Sequence, residues 1–510
     1  MDYIVSAIEM RELDRQTINH LAVPGRVLME VAGRAVAEVC RQGLEEPGRI
    51  AVACGTGNNG GDGFVVARAL LAHGHEIRTF IFGERNHIKE DARSALDSLE
   101  KLSAECIAEV GDAKALWEFS AFVDSADVVI DALLGTGLNK DVSGIIGEAI
   151  DVINDCHCPV VAVDIPSGVD SDTGAEMGRA VQATATVTFA FAKRGHYLYP
   201  GADLRGQLSI VDIGIPLELA EKLGVVGRVV ESDDGANLMP ARRGETHKGN
   251  YGHVVILAGS RETPGAAILA LQGALRAGSG LVSWAADEAT VATAPERPAE
   301  VMLRMRRAGE AVDAWAARVV DGATALVLGP GLSTETARAE ELAAILEASE
   351  VPLCVDADGL NFLAAQPELW KKVKAPLVIT PHPKEMARLT DSSVDDVQKD
   401  RFAAAGQLAM TRSCVVVLKG AGTVVAESDG AVAVIAAGNP GMATDGTGDV
   451  LAGVIGGFLA QGYDPAQAAL AGTLLHSVAG DEAVKAHGHA GLRASDLVDA
   501  MGGVLASWKR

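Results

Sequence analysis

Short β-branched runs alternate with Ala- and Leu-rich stretches along almost the whole chain. Apolar runs at 50–54, 77–82, 128–131 and 160–164 predict strands. Between them, 63–73 and 143–154 repeat apolar positions three and four apart, the spacing of helices. The same alternation restarts at 253–258 and continues with strands at 325–328, 353–356, 377–380 and 415–418. Nearly continuous apolar strands interleaved with helices predict parallel sheets covered on both faces. Residues 216–250 lose this alternation. Ser232-Asp233-Asp234-Gly235 and Ala241-Arg242-Arg243-Gly244-Glu245 carry turn and linker chemistry, which places a boundary near residue 230. The expected fold class is α/β, in two domains spanning 1–230 and 231–510.

Composition narrows the function classes. A chain of 510 residues is too long for one compact unit, and 48% hydrophobic with 22% charged residues excludes chain-wide disorder. Forty-four Lys plus Arg against 68 Asp plus Glu give a net charge of −24, so nucleic acid and membrane surfaces are expected to be excluded as partners. Aromatics at 4% are too few for base-stacking platforms. Seven scattered cysteines make no disulfide framework, and Cys156-His157-Cys158 lacks the second pair that a zinc site requires. No basic stretch leads into an apolar one at the N-terminus, and no window reaches 18 apolar residues. A soluble, cytoplasmic protein is expected.

The strand at 50–54 runs into Gly55-Thr56-Gly57-Asn58-Asn59-Gly60-Gly61-Asp62-Gly63. Read literally, this holds GxGxxG, and Glu84 at the next strand's end suggests a nicotinamide-dependent dehydrogenase. The polar insertions Asn58, Asn59 and Asp62 argue otherwise, because a dinucleotide fold packs helix on strand there. The glycines with two amides and a carboxylate read as a nest for an anion and hydroxyls. Two further strands end in polar turns, Asp131 through Gly135-Thr136-Gly137-Leu138, and Asp164-Ile165-Pro166-Ser167-Gly168. Open α/β sheets bind ligands at such ends. Asn59, Asp131 and Ser167 offer oxygen ligands for a hard cation, leaving Asp164 as the acid/base candidate.

These three motifs, in this order, resemble the NAD(P)H-hydrate epimerase family over about residues 1–225. The resemblance implies a Rossmann-like three-layer domain that interconverts R and S hydrates of NADH or NADPH. It assigns substrate binding to Asn58, Asn59, Gly60, Gly61 and Asp62, to Gly135, Thr136, Gly137, Leu138, Asn139, Lys140 and Asp141, and to Asp164. Asn59, Asp131 and Ser167 would correspond to potassium ligands. Related domains also serve as non-catalytic scaffolds, against which the intact Asp164 and the acidic surface argue.

The second half is richest at Gly438-Asn439-Pro440-Gly441-Met442-Ala443-Thr444-Asp445-Gly446-Thr447-Gly448-Asp449, followed by an apolar helix at 450–460. Gly446, Thr447 and Gly448 would aim backbone N–H groups at a transferred phosphoryl group. Asp449 would then accept a proton from the attacking hydroxyl, although an aspartate here also serves as a plain helix cap. Lys419-Gly420-Ala421-Gly422-Thr423 closes a strand with a cation suited to a nucleotide phosphate. Thr380-Pro381-His382-Pro383-Lys384-Glu385 ends another, with His382 and Glu385 expected to be exposed and Glu385 placed for a hydrated magnesium ion. Gly329-Pro330-Gly331 and Asp356-Ala357-Asp358 end two more strands on the same expected edge, and no P-loop motif occurs.

This pattern resembles the ribokinase-like NAD(P)H-hydrate dehydratases over about residues 235–510. The resemblance implies ADP on Lys419, Gly420, Ala421, Gly422 and Thr423 and on Asn439, Gly441, Thr444, Gly446, Thr447 and Gly448. Ala266, Gly331, His382 and Asp449 would contact the S-hydrate. Asp445 departs from the small residue usual before this Gly-Thr-Gly-Asp, and a carboxylate there repels phosphates unless it faces solvent or magnesium. The two halves together imply a repair enzyme acting on NADH and NADPH hydrates, with ADP as co-substrate, potassium and magnesium as cofactors, and a homo-oligomeric assembly. The alternative is a hydroxymethylpyrimidine-type kinase behind a ligand-binding or scaffold domain.

Overall fold

The computed structural model describes residues 1–44, 47–239, 242, 244–294 and 296–508. Of the linker residues singled out above, Ala241 and Arg243 lie outside the described residues. The chain forms two compact units, one of Tyr3–Gly227 and one of Met1–Asp2 with Arg228–Arg510. Among the described residues no helix is long and apolar enough to cross a membrane.

The sheet of the Tyr3–Gly227 unit runs Ile107–Val110, Glu76–Phe82, Arg49–Cys54, Val128–Ala132, Val160–Val163, Ala185–Phe189, Gln207–Val211, all parallel. Alternate side chains feed the two faces: Val52 and Ile130 pack into one core, Ala51 and Val129 into the other. That is why these strands read as unbroken apolar runs rather than as alternations. Strand Asp2–Val5 pairs in parallel with Ala192–Lys193, Val5 opposite Lys193.

In the Arg228–Arg510 unit the strands lie in the order Met302–Arg306, Leu281–Asp287, His253–Leu257, Ala325–Leu328, Leu353–Val355, Leu377–Ile379, Val415–Leu418. These pairs are parallel. The expectation of uniformly parallel sheets fails at the next two strands. Val424–Ala426 and Val432–Ile435 return antiparallel, because the short turns that join them are too brief for a crossover helix. The stretch expected to lack regular structure also holds helix Leu217–Leu223 and strand Gly227–Val230.

Candidate active sites

The first site stands at the carboxyl ends of the strands of the Tyr3–Gly227 unit. The glycine-rich segment, read as a nest, is in large part the start of a helix. Helix Asn58–Ala72 begins inside it, after Gly57, so Asn59, Gly60, Gly61 and Asp62 are buried in the first turns while Gly57 and Asn58 are exposed. The glycines serve close packing. A Cβ on Gly60 would stand 2.0 Å from the Gly55 carbonyl oxygen, and one on Gly63 would stand 2.6 Å from Cys54 Sγ.

Asn59, Asp131 and Ser167 meet around the backbone of Leu134. Asn59 Nδ2 donates to the Leu134 carbonyl at 2.9 Å, and the Leu134 N–H donates to Ser167 Oγ at 2.8 Å. Ser167 in turn donates from Oγ and N to Asp131, at 2.6 and 2.8 Å. Burial, partly offset by these bonds, pushes the Asp131 carboxyl up to about 6. Asn59 Oδ1 is a buried acceptor with no donor. An orphaned amide oxygen beside a carboxylate and a hydroxyl fits a hard, oxygen-seeking cation such as potassium. Gly135 packs on the Asn59 side chain, Thr136 and Leu138 are half-buried, and Gly137, Asn139, Lys140 and Asp141 are exposed.

Asp164 follows strand Val160–Val163 with a left-handed φ of 66°. Its Oδ1 accepts from Lys193 Nζ at 2.5 Å and Thr188 Oγ1 at 2.9 Å, and its carbonyl accepts from His196 Nε2 at 3.0 Å. His196 Nδ1 accepts the Lys193 N–H, so the ring is neutral, and burial lowers its pKa to about 3. Burial pushes the Asp164 carboxyl up, but the Lys193 charge and hydrogen bond outweigh it and hold the group below the usual aspartate range. Burial pushes Asp14, on helix Ala7–His20, up to about 6. Asp62 is driven well above its usual value by burial and by the nearby Asp164 and Asp14. One ammonium, its side chain 1% exposed, thus stands among three carboxyl groups and bonds to Asp164. Sequence reasoning missed Lys193, Thr188, His196 and Asp14. A lysine just past an apolar strand was the only available signal.

In the second site, adjacent parallel strands bring Gly331, Asp356, His382 and Lys419 to one sheet edge. Helix Thr447–Ala460 starts after Gly446, whose φ is 89°. Thr447 Oγ1 donates to the Met442 and Thr444 carbonyls. Asn439 accepts from the Gly441 N–H at 3.0 Å and donates to Asp481 at 2.9 Å, so its side chain frames the loop. Asp449 lies in the helix's first turn. Burial, then the neighbouring Asp356, push its carboxyl up to about 7 against the opposing pull of Lys419. Asp445 is exposed, so the unusual carboxylate is solvated.

Lys419 Nζ lies 2.7 Å from Asp356 Oδ1 and 3.9 Å from Glu385 Oε2. A Cβ on Gly448 would stand 3.3 Å from that ammonium, which places it against the first turn of the Asp449 helix. Buried Arg401 donates to the Leu418, Lys419 and Gly422 carbonyls and holds the 419–423 turn, with Gly420 and Ala421 exposed and Thr423 bonded to the Gly420 carbonyl. Gly331 adjoins Ala266, since a Cβ there would come within 2.8 Å of the Ala266 Cβ.

His382 and Glu385 are not both exposed, as the sequence suggests. Glu385 is 5% exposed because the two residues cap helix Pro383–Thr390 reciprocally. Glu385 Oε2 accepts the His382 N–H at 2.7 Å, and His382 Nδ1 accepts the Lys384 and Glu385 N–H groups. Burial pushes Glu385 up to about 7. Among the described residues no group of three or more His, Cys, Asp or Glu side chains could hold a metal ion.

Comparison with known proteins assigns the family. The family model described as NAD(P)H-hydrate dehydratase matches residues 254–502, and that described as YjeF-related protein N-terminus matches 25–195. A bifunctional NAD(P)H-hydrate repair enzyme Nnr of Moorella thermoacetica is 40% identical over 99% of this chain and 96% of its own length. The protein of the same name from Escherichia coli is 35% identical, covering 96% of this chain and 92% of its own. A ribokinase-like superfamily protein from Enterococcus faecalis superposes on 56% of this chain and 96% of its own, with 25% identity and a TM-score of 0.50. The chain belongs to the bifunctional NAD(P)H-hydrate repair enzyme family.

Proposed function

We propose that this chain repairs hydrated NADH and NADPH in two steps. Residues 1–230 interconvert the R and S epimers, and residues 231–510 dehydrate the S form at the expense of ADP, giving AMP and phosphate. The observation that carries this reading is Asp449, a carboxyl poised at about 7 in the first turn of a glycine-framed helix beside Lys419. The full-length relatives of that name support it.

Hydroxide leaves the hydrated ring poorly. Asp449 takes the proton of the ring hydroxyl as its oxygen bonds to the terminal phosphorus of ADP and the bond to AMP breaks. N–H groups of the helix's first turn and the Lys419 ammonium offset the charge that develops. The ring nitrogen's lone pair then expels phosphate, and loss of the neighbouring carbon's proton restores the dihydronicotinamide. Lys419–Thr423 and the 439–448 loop would hold the nucleotide. Ala266, Gly331 and His382 would hold the hydrate. Magnesium would be carried by the nucleotide's own phosphates, with Glu385 orienting its bound water, and no step here runs through it.

In the first unit, 58–62, 135–141 and Asp164 would bind the hydrate. Asn59, Asp131 and Ser167 would hold potassium, which would supply positive charge at that strand edge. Because the dehydratase accepts one epimer, the epimerase prevents the other from accumulating. The kinase alternative is the weaker reading, since the family models match both halves of the chain.

The test is recovery of reduced-nicotinamide absorbance from mixed NADH-hydrate epimers with ADP, magnesium and potassium. Complete recovery is expected from the wild type, recovery of only the S fraction from Asp164→Ala, and none from Asp449→Ala. Wild-type failure with both ADP and ATP sinks the reading.

A further inference from the structure

We propose that Asp62 is the acid partner of Asp164 in epimerisation, the single buried ammonium of Lys193 being bonded to Asp164 and not to Asp62. Asp62 is 9% exposed in the first turns of helix Asn58–Ala72. Its carboxyl takes no hydrogen bond or ion pair from another described residue. The titratable groups facing it are Asp164, Asp14 and Lys193, with the Cys54 thiol on the strand beneath. Lys193 spends its contacts on Asp164 Oδ1, Thr188 Oγ1 and the Phe189 carbonyl. A second buried carboxylate beside Asp164 would lack a counter-charge, so Asp62 keeps its proton while Asp164 loses its own. Neighbouring carboxyls with values driven apart in this way divide into an acid and a base.

The inference rests on the epimerase reading and adds its chemistry. Inversion at the hydroxyl-bearing ring carbon requires breaking either its C–O or its C–N bond. The second unit consumes a nucleotide because hydroxide leaves so poorly, and C–O cleavage in the first unit would bypass that step. Ring opening avoids both problems. Asp164 takes the hydroxyl proton, the O–H electron pair forms C=O, and the C–N bond breaks. Its electrons pass to the ring nitrogen, which takes the proton from Asp62. Rotation about the adjacent C–C bond presents the other aldehyde face. The nitrogen then re-attacks and returns its proton to Asp62, while Asp164 returns its proton to oxygen. Atoms, charge and electrons balance with no added reactant.

The test uses the full chain and purified S-NADH hydrate, following appearance of the R form by chromatography. Asp62→Asn is expected to slow inversion by about 100-fold or more, with ADP-dependent dehydration of the S form, which takes place in the other unit, unchanged. Wild-type inversion should fall as rising pH removes the Asp62 proton, and the residual rate of Asp62→Asn should lack that limb. In 18O-water, the wild type should invert faster than it takes up solvent oxygen. An Asp62→Asn chain that keeps within threefold of wild type overturns the assignment. So does a wild type that takes up one solvent oxygen per inversion, or one whose rate shows no fall with rising pH, and neither result depends on the variant folding. A wild type that inverts no faster than buffer overturns the epimerase reading itself, a distinct result.

Discussion

Lys419 Nζ stands 2.7 Å from Oδ1 of Asp356, a carboxylate 1% exposed at the end of the neighbouring parallel strand but one. The cation suited to a nucleotide phosphate is therefore already paired. Lys419→Met should leave Asp356 buried without a partner and cost on the order of 3–5 kcal/mol. Adding Asp356→Asn should restore much of that loss, as measured by denaturant melts of both variants. Equal stability of wild type and Lys419→Met would show that the pair does not matter to the fold.

Asp449 must be unprotonated to act as a base, and its carboxyl sits at about 7. Dehydration of S-hydrate should therefore rise with pH through about 7, not through the ordinary aspartate range near 4. Asp449→Asn should lower that rate by about 100-fold or more while leaving epimerisation intact. A pH–rate limb near 4 would remove Asp449 from this role.

Lys193 holds Asp164 ionised against the pull of burial. Lys193→Met should raise the Asp164 carboxyl and move the acid limb of epimerisation to higher pH, with the fold monitored by circular dichroism. Lys193→Arg should recover part of the shift. An unmoved limb in a folded Lys193→Met chain would mean that the ammonium does not set the charge of Asp164.

His476 is buried against the start of the Asp449 helix, donating from Nε2 to the Thr447 carbonyl at 2.9 Å, and burial lowers its pKa to about 4. The unfolded chain takes up a proton near 6.5, and the folded chain does not until about 4. Stability from this group is therefore full above 6.5 and lost as pH falls from 6.5 toward 4, on the order of 3 kcal/mol. His476→Gln should flatten that part of the stability–pH curve in chemical denaturation.

Helices Pro264–Arg276 and Thr447–Ala460 approach each other through glycines. A Cβ on Gly453 would fall 1.9 Å from the Ala270 carbonyl oxygen, and one on Gly273 would fall 2.4 Å from that of Val450. Gly453→Ala must push the helices apart, costing about 1–3 kcal/mol, and should lower dehydration with epimerisation spared. Unchanged melting and dehydration would contradict the contact.

The sequence by itself determined the α/β class, the strand positions and the polar strand ends, because hydrophobic periodicity and glycine-framed turns are local signals. Asn59, Asp131 and Ser167 were legible as a set, and so was Asp449, each standing at a strand end or helix start whose chemistry shows in a few adjacent residues. The tertiary structure decided which groups share a charge. Lys193 reaches Asp164 only after strand Ala185–Phe189 and the parallel pairing of Asp2–Val5 with Ala192–Lys193 are formed, and Asp14 arrives on a helix 150 residues earlier. Burial also made Glu385, expected to be exposed, a helix cap, and set the glycines of 58–63 in close packing. Desolvation and charge pairing depend on what surrounds a side chain in space, and adjacent sequence does not carry that information.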